Sequence, residues 1–389
     1  MTWRRSAILG VLAAATLHVI VAASSQSSTA GDLASAIDRL GSFDFAARTE
    51  ALRVVRRTPA EVAVPALERA ARSHKDEYVR FRALVSLASF GEGAAGGVMR
   101  DVIADRNDRL RAVAYQWFER HPAPAVLPTL LAALPAERSE FVRPALTRSI
   151  AAHANDARAR DALLPLVMRG EDFFRGALIE ALGDHGGRFA APQIVAVAKL
   201  DGPLQDDAIT AIGKLGDASA RPVLAALQQS APREVQPTIS AAFCLMGVDC
   251  ARQEAYLTQV LTYAVESPDH QPLLRGVAHA LGVLAVKGRP WAADALLNAG
   301  VKAAESARAP IALSVGLLAL RNPDQLCGAL ERRTDVATAV DLVRDAFDML
   351  SEDFDEELFY TAVRRMYWEA PEGSARRRTA QLLIDQLEL

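Results

Sequence analysis

Along the chain an apolar residue, usually followed by a basic one, returns at Ala47, Val79, Leu110, Val142, Phe174, Leu204 and Val235, at spacings of 30 to 32 residues. So regular a period marks stacked supersecondary units. After each of these anchors apolar or small residues recur at +4, +7 and +8, as in Ala83, Ser86 and Leu87, or Leu178, Ala181 and Leu182, or Ala208, Ala211 and Ile212. That spacing is one face of an amphipathic helix. A second helical run precedes each anchor, for example "EVAVPALERAARS", so each unit is a helical hairpin. Pro65, Pro128, Pro165, Pro192 and Pro222 fall early in the first helix of a pair, where a missing N–H costs little. Gly91, Gly183 and Gly216 fall near the end of the second, where a left-handed cap is wanted. No run of alternating β-branched residues signals a strand.

Beyond Val235 the register loosens: the next anchor is Leu273 or Leu274, then Ile311, Val343 and Arg376. The surplus residues, in "RQEAYLTQVLTYAVESPDH" and "GRPWAADALLNAGVKAAESAR", read as lengthened first helices. The pattern predicts an all-α chain, an α-solenoid of about ten stacked helical hairpins. At roughly 8 to 10 Å between packed helices, such a stack is a rod or arc on the order of 100 Å long.

An acidic residue stands three positions before the arginine that follows an anchor: Glu77 and Arg80, Asp108 and Arg111, Glu140 and Arg143, Asp172 and Arg175, Asp341 and Arg344. The carboxylate is placed to cap the second helix, and the arginine one turn on to pair with it or with the neighbouring unit. This pattern resembles the HEAT-repeat family, in particular the short HEAT-like repeats named after phycobiliprotein lyases. The resemblance implies a superhelix in which Arg80, Arg111, Arg143, Arg175 and Arg344 form a ladder between units, interrupted at Gln205, Gln236 and Ala312. It also implies that the second helices line the concave side. The family is defined by shape, so the resemblance assigns no activity.

The N-terminus changes the picture of where the chain works. Arg4 and Arg5 precede an apolar run from Ala7 to Ala23 with small residues at Val21 and Ala23. Residues 1–23 read as a cleaved export signal, with an uncleaved membrane anchor as the rival, and 24–32 as a polar linker to a solenoid over 33–389. Without the signal the chain carries 42 basic against 47 acidic residues, which offers no electrostatic attraction to nucleic acid or anionic lipid. A membrane association is expected only if the segment stays uncleaved. Of the three cysteines, Cys244 and Cys250 flank a turn at Gly247 and can come within bonding range, or serve as two small buried residues; Cys327 reads as packing.

Candidate chemistry is sparse. His121, His153 and His185 share the +11 position, which turns them toward the core at a helix end, where capping is the expected role and a metal column is not. No histidine is followed by glutamate, so the His-Glu metal sites of the HEAT-like enzyme deoxyhypusine hydroxylase have no counterpart. The acidic run at Glu352, Asp353, Asp355, Glu356 and Glu357 reads as a charged first turn, and Arg376, Arg377 and Arg378 as too short a basic run for nucleic acid. No residue is singled out as catalytic, metal-binding or cofactor-binding.

Offsets +2, +5 and +6 point away from the hairpin core on a helical wheel. Phe81, Leu84, Tyr115, Ile179 and Ile209 occupy such places and form a candidate apolar stripe for a partner on the concave face. Arg148, also outward, is expected to matter less for stability than Arg143 or Arg175. A rival docking surface is the aromatic C-terminus, where Tyr360 and Trp368 are not needed to seal the end of the stack as Phe359, Val363 and Met366 are. The reading is a non-catalytic, exported (periplasmic or secreted) scaffold or adaptor for a protein partner. Its alternatives are a lyase-like or chaperone-like holder of a chromophore or modified substrate, and a membrane-tethered spacer of the envelope.

Overall fold

The computed structural model describes residues 31–267, 269–350 and 353–388; residues 1–23, read above as an export signal, and most of the expected linker lie outside them. Every regular element among the described residues is helical, paired into hairpins as the period requires. The chain divides into two compact units, 1–102 and 103–389.

The first unit holds a helix over residues 31–39 and the helices Phe45–Arg57, Ala60–Ser73, Glu77–Ala88 and Glu92–Val102. Leu33, Leu40, Val55, Leu67, Leu84, Leu87 and Met99 are buried in it. Helix starts are capped by the residue before the one expected: Asp76, not Glu77, accepts from the N–H groups of Tyr78 and Val79. Asp44 does the same for Ala47, and in the second unit Asn107, not Asp108, takes the N–H of Arg109. A cap needs extended backbone, and these residues have it, whereas Glu77 and Asp108 are already helical.

In the second unit the helices Asp108–Arg120, Arg143–Ala151, Asp172–Asp184, Gln205–Leu215, Gln236–Leu245, Gln271–Val286, Glu305–Arg321 and Val336–Met349 stand side by side as an inner row. The other helix of each hairpin, such as Ala191–Ala198 or Pro290–Gly300, packs on the outside. Cys250–Glu266 is lengthened as predicted, with 17 residues. The other surplus goes elsewhere: Pro290–Gly300 has only 11 residues and the inner helix Glu305–Arg321 has 17.

Small residues set how closely inner helices approach. A Cβ on Gly183 would lie 2.9 Å from Ala211 Cα, and one on Gly213 2.6 Å from Ala242 Cα. Gly183 is therefore a packing residue inside its helix and not the left-handed cap the sequence suggested; Gly216, at φ 65°, is such a cap. Gly282 approaches Ser314 in the same way and stands nine residues after Leu273, as Gly183 does after Phe174 and Gly213 after Leu204. That equivalence selects Leu273 as the anchor. Gly183, Gly213 and Gly282 let the C-terminal halves of their helices come close to a neighbour, and the row is curved. It bends enough that Arg120 reaches Asp355, 235 residues later, so this unit curls back on itself instead of forming an open arc. Cys244 and Cys250 are joined by a disulfide at the turn between two helices.

Candidate functional site

The five residues proposed as a partner stripe are not at the surface. Phe81 and Tyr115 are buried, and Leu84, Ile179 and Ile209 are fully so. The helical wheel fails here because an inner helix has three neighbours, its own outer helix and the inner helices on both sides. The +5 positions fill the seams between inner helices. The concave side is reached by +6 and +10 positions, most of them with ionisable side chains: Arg148, Glu180 and Asp184, Lys214, His279 and Arg321, with Arg120 at +10 of the first inner helix.

These side chains line a concave cavity of about 250 Å³, with Glu119, His185, Lys287, Val283, Val286 and Leu317. Arg148 is its hub. The guanidinium pairs with Glu119 at 2.8 Å, Asp184 at 3.1 Å and Glu180 at 3.3 Å. Asp184 also takes Lys214 at 2.8 Å and Lys287 at 3.4 Å, and Glu119 takes His185 Nε2 at 3.1 Å. Burial by itself would raise the Glu119 carboxyl, but bonds from His185 and Arg148 outweigh it and bring it down to about 2. Asp184 is half-buried, and although burial would raise its carboxyl, Lys214 and Arg148 hold it below the ordinary carboxylate range. At the far side Asp355, buried despite its place in the acidic run, accepts from Arg120 at 2.5 Å and lies 3.7 Å from Arg321. Glu357, buried as well, faces Arg364 at 3.5 Å. The expected solvated first turn is thus in part an internal clasp.

Asp207 has no such compensation. Burial, then the charges of Glu180 and Asp206, push its carboxyl up to about 6, with only Lys214 opposing. A folded pKa above the ordinary value of about 3.9 means that the folded state holds this proton more tightly than the unfolded chain. The stability it gives is complete below about pH 4 and is lost as pH rises to about 6. Asp207→Asn should therefore stabilise the protein at pH 7.5 by on the order of 2 kcal/mol and leave it unchanged near pH 4. Denaturant melts at the two pH values check this; an equal gain at both would remove the assignment.

The arginine ladder works differently from the acid-pair scheme. Arg175 and Arg344 do pair with Asp172 and Asp341, each at 3.0 Å. The shared function, though, is to bond the carbonyls that end the preceding helix or turn. Arg48 donates to Ser42 O at 2.7 Å, Arg80 to Ala71 O at 2.9 Å, Arg111 to Asp105 O at 2.8 Å and Arg175 to Val167 O at 3.1 Å. Gln205 and Gln236, read as interruptions, donate to Ala198 O and Ala231 O at 3.1 and 2.9 Å. Where Ala312 replaces the arginine, Arg308 reaches both Gly300 O and Asp345. Arg111 also binds Glu137 of the next hairpin through two nitrogens, at 2.8 and 2.9 Å. Arg143 departs from the ladder: it makes no pair with Glu140, its Nε is buried without a hydrogen-bond partner, and its guanidinium lies 4.4 Å over the Phe174 ring.

Of the histidine column, His121 caps as expected, with Nδ1 3.1 Å from Trp117 O and its ring stacked on Trp117. His185 belongs to the ion network, and His153 Nε2 is buried without a partner. Among the described residues no group of three His, Cys, Asp or Glu is placed to hold a metal ion, and no helix is long and apolar enough to cross a membrane. Phe359, Val363 and Met366 are buried, and Trp368 is exposed.

Four exposed apolar residues of the second unit, Phe141, Met168, Phe173 and Leu200, lie at the rim where inner helices begin, while Tyr263, Leu313, Met349 and Trp368 are exposed elsewhere. Phe141 and Phe173 precede their anchors by one residue, 32 positions apart, and are 89% and 70% exposed. Beside Phe173 opens a groove of about 530 Å³ lined by Glu140, Arg143, Leu166, Arg169, Gly170, Glu171 and Phe174. The repeat period predicts that position, but it gives no reason to expect aromatic residues there.

No curated protein matches the chain. Among solved structures, the YibA protein of Escherichia coli is similar at 17% identity, over 56% of this chain and 81% of its own, with a TM-score of 0.42. The complex of CpcE and CpcF of phycocyanin lyase from a Nostoc species is similar at 20% identity, over 65% of this chain and 94% of its own, with a TM-score of 0.40. The family model described as HEAT repeats matches residues 33–117. That match covers the first repeats of the chain, and the same helical-hairpin pattern runs on to the helix Ala375–Gln386.

Proposed function

We propose that this protein is a non-catalytic, exported scaffold or adaptor that binds a protein partner through the rim of its second unit, around Phe141 and Phe173. One observation carries the reading. Two phenylalanines in the same register of successive hairpins stand exposed, and Met168 and Leu200 are exposed just before inner helices begin. Single exposed apolar residues are ordinary, whereas repeated aromatic exposure at one structural position marks a contact surface, and aromatics are favoured interface anchors. The concave face is the poorer surface, because its charges already satisfy one another. A cavity of about 250 Å³ ringed by ion pairs also suits a chromophore badly, since small-molecule pockets are mostly apolar and generally larger. The disulfide supports an oxidising compartment, in keeping with residues 1–23 as an export signal. Phe141→Ser combined with Phe173→Ser should reduce partner recovered by affinity purification roughly tenfold while the melting temperature holds. Undiminished recovery by the double variant would overturn this reading.

A further inference from the structure

The register of the ladder makes Arg143 informative. At Arg48, Arg80, Arg111, Arg175, Gln205 and Gln236 the side chain after the anchor is consumed by carbonyls of the preceding helix or turn. Arg143, in the same register, is spent on no carbonyl and no carboxylate, and its buried Nε is unsatisfied. The guanidinium is thus left without an acceptor of its own, and a ligand in the groove can supply one. The Phe174 ring 4.4 Å away holds the guanidinium plane, so the fork is set before anything binds. It faces the groove of about 530 Å³ whose wall includes Leu166 and the exposed Phe173.

We propose that this groove receives a peptide segment of the partner in which an acidic side chain sits beside an apolar one. The carboxylate takes the Arg143 fork, and the apolar side chain packs on Phe173 and Leu166. Charge selects a carboxylate, because Arg143 is the one unpaired group of the groove that is held and partly desolvated, and Arg169 adds a second cation. A free anion is disfavoured: Glu140 and Glu171, both exposed at the rim, repel it, and it gains nothing from the apolar wall. A segment carrying both chemistries overcomes that repulsion through Phe173. This assignment rests on the rim as the docking face and specifies what docks there.

The test uses the full chain and a phage-displayed library of random peptides. Selected peptides should share Asp or Glu next to an aromatic or aliphatic residue. They should bind Arg143→Gln and Phe173→Ala each roughly tenfold more weakly, and lose the same factor when their own Asp becomes Asn. Arg143→Lys should fall between, since it keeps the charge and loses the fork. Inorganic phosphate should not compete. Failure to select an acidic consensus, binding to either variant as tight as to the wild type, or displacement by phosphate overturns the proposal. Should Arg143→Gln prove unstable, Phe173→Ala decides, because that side chain is exposed. If partner recovery depends on Phe141 and Phe173 but the peptides ignore Arg143, the groove assignment falls and the rim stands; if recovery ignores both phenylalanines, the rim itself falls.

Discussion

Arg148→Ala should destabilise the protein by about 3 to 5 kcal/mol, more than Arg143→Ala or Arg175→Ala, which reverses the order the sequence suggests. The Arg148 side chain is only 11% exposed and lies within 3.3 Å of three carboxylates. Its removal leaves Glu119, itself buried, with the His185 hydrogen bond and the more distant charge of Arg321. Breaking a buried pair is expensive because the surviving charge stays desolvated, whereas Arg175 faces an exposed Asp172 and Arg143 has no ion pair to lose. The effect also carries a pH signature. Glu119 is held at about 2, below its ordinary value, so it stabilises the fold above about pH 4.5 and loses that contribution as pH falls toward about 2. The gap between wild type and Arg148→Ala should therefore be full at pH 7 and shrink in acid. Equal losses for all three variants, or a gap independent of pH, would show that the inner ion network contributes little.

Gly213→Val should cost about 3 kcal/mol. A Cβ there meets Ala242 Cα at 2.6 Å and Ala242 Cβ at 2.9 Å, both on a neighbouring inner helix that cannot move without disturbing the row. The comparison is Gly97→Ala, in the helix Glu92–Val102, where the nearest heavy atom is the end of a flexible arginine at 3.8 Å. Relief from glycine should stabilise that helix by up to about 1 kcal/mol. Opposite signs for the two substitutions, read from chemical melts, are the expected result. A neutral Gly213→Val would mean that the inner helices are not packed as closely as the curl of the second unit requires.

The hairpin array was legible because its signal is local. A period near 31 residues and apolar residues at +4, +7 and +8 suffice to define it, and Leu178, Ala181 and Leu182 are buried as read. The stripe of Phe81, Leu84, Tyr115, Ile179 and Ile209 was misread because a helical wheel assigns one buried face, while inner helices are covered on three sides. The charged concave lining was in the sequence at +6 and +10, legible only once those two offsets are taken together as the narrow uncovered strip. No reading of one chain pairs Arg120 with Asp355, since nothing local connects residues so far apart. The exception at Arg143 is invisible from sequence for the opposite reason: its residue type obeys the repeat, and only its missing partners set it apart.

The most direct measurement of the docking claim is photocrosslinking in the native compartment, with a benzophenone amino acid placed in turn at positions 173, 279 and 368. These positions report the rim, the concave cavity and the exposed C-terminal Trp368, respectively. The account predicts a partner adduct from position 173 and none from 279 or 368. An adduct from position 279 or 368, with none from 173, would contradict it and return the docking site to the concave face or to the end of the stack.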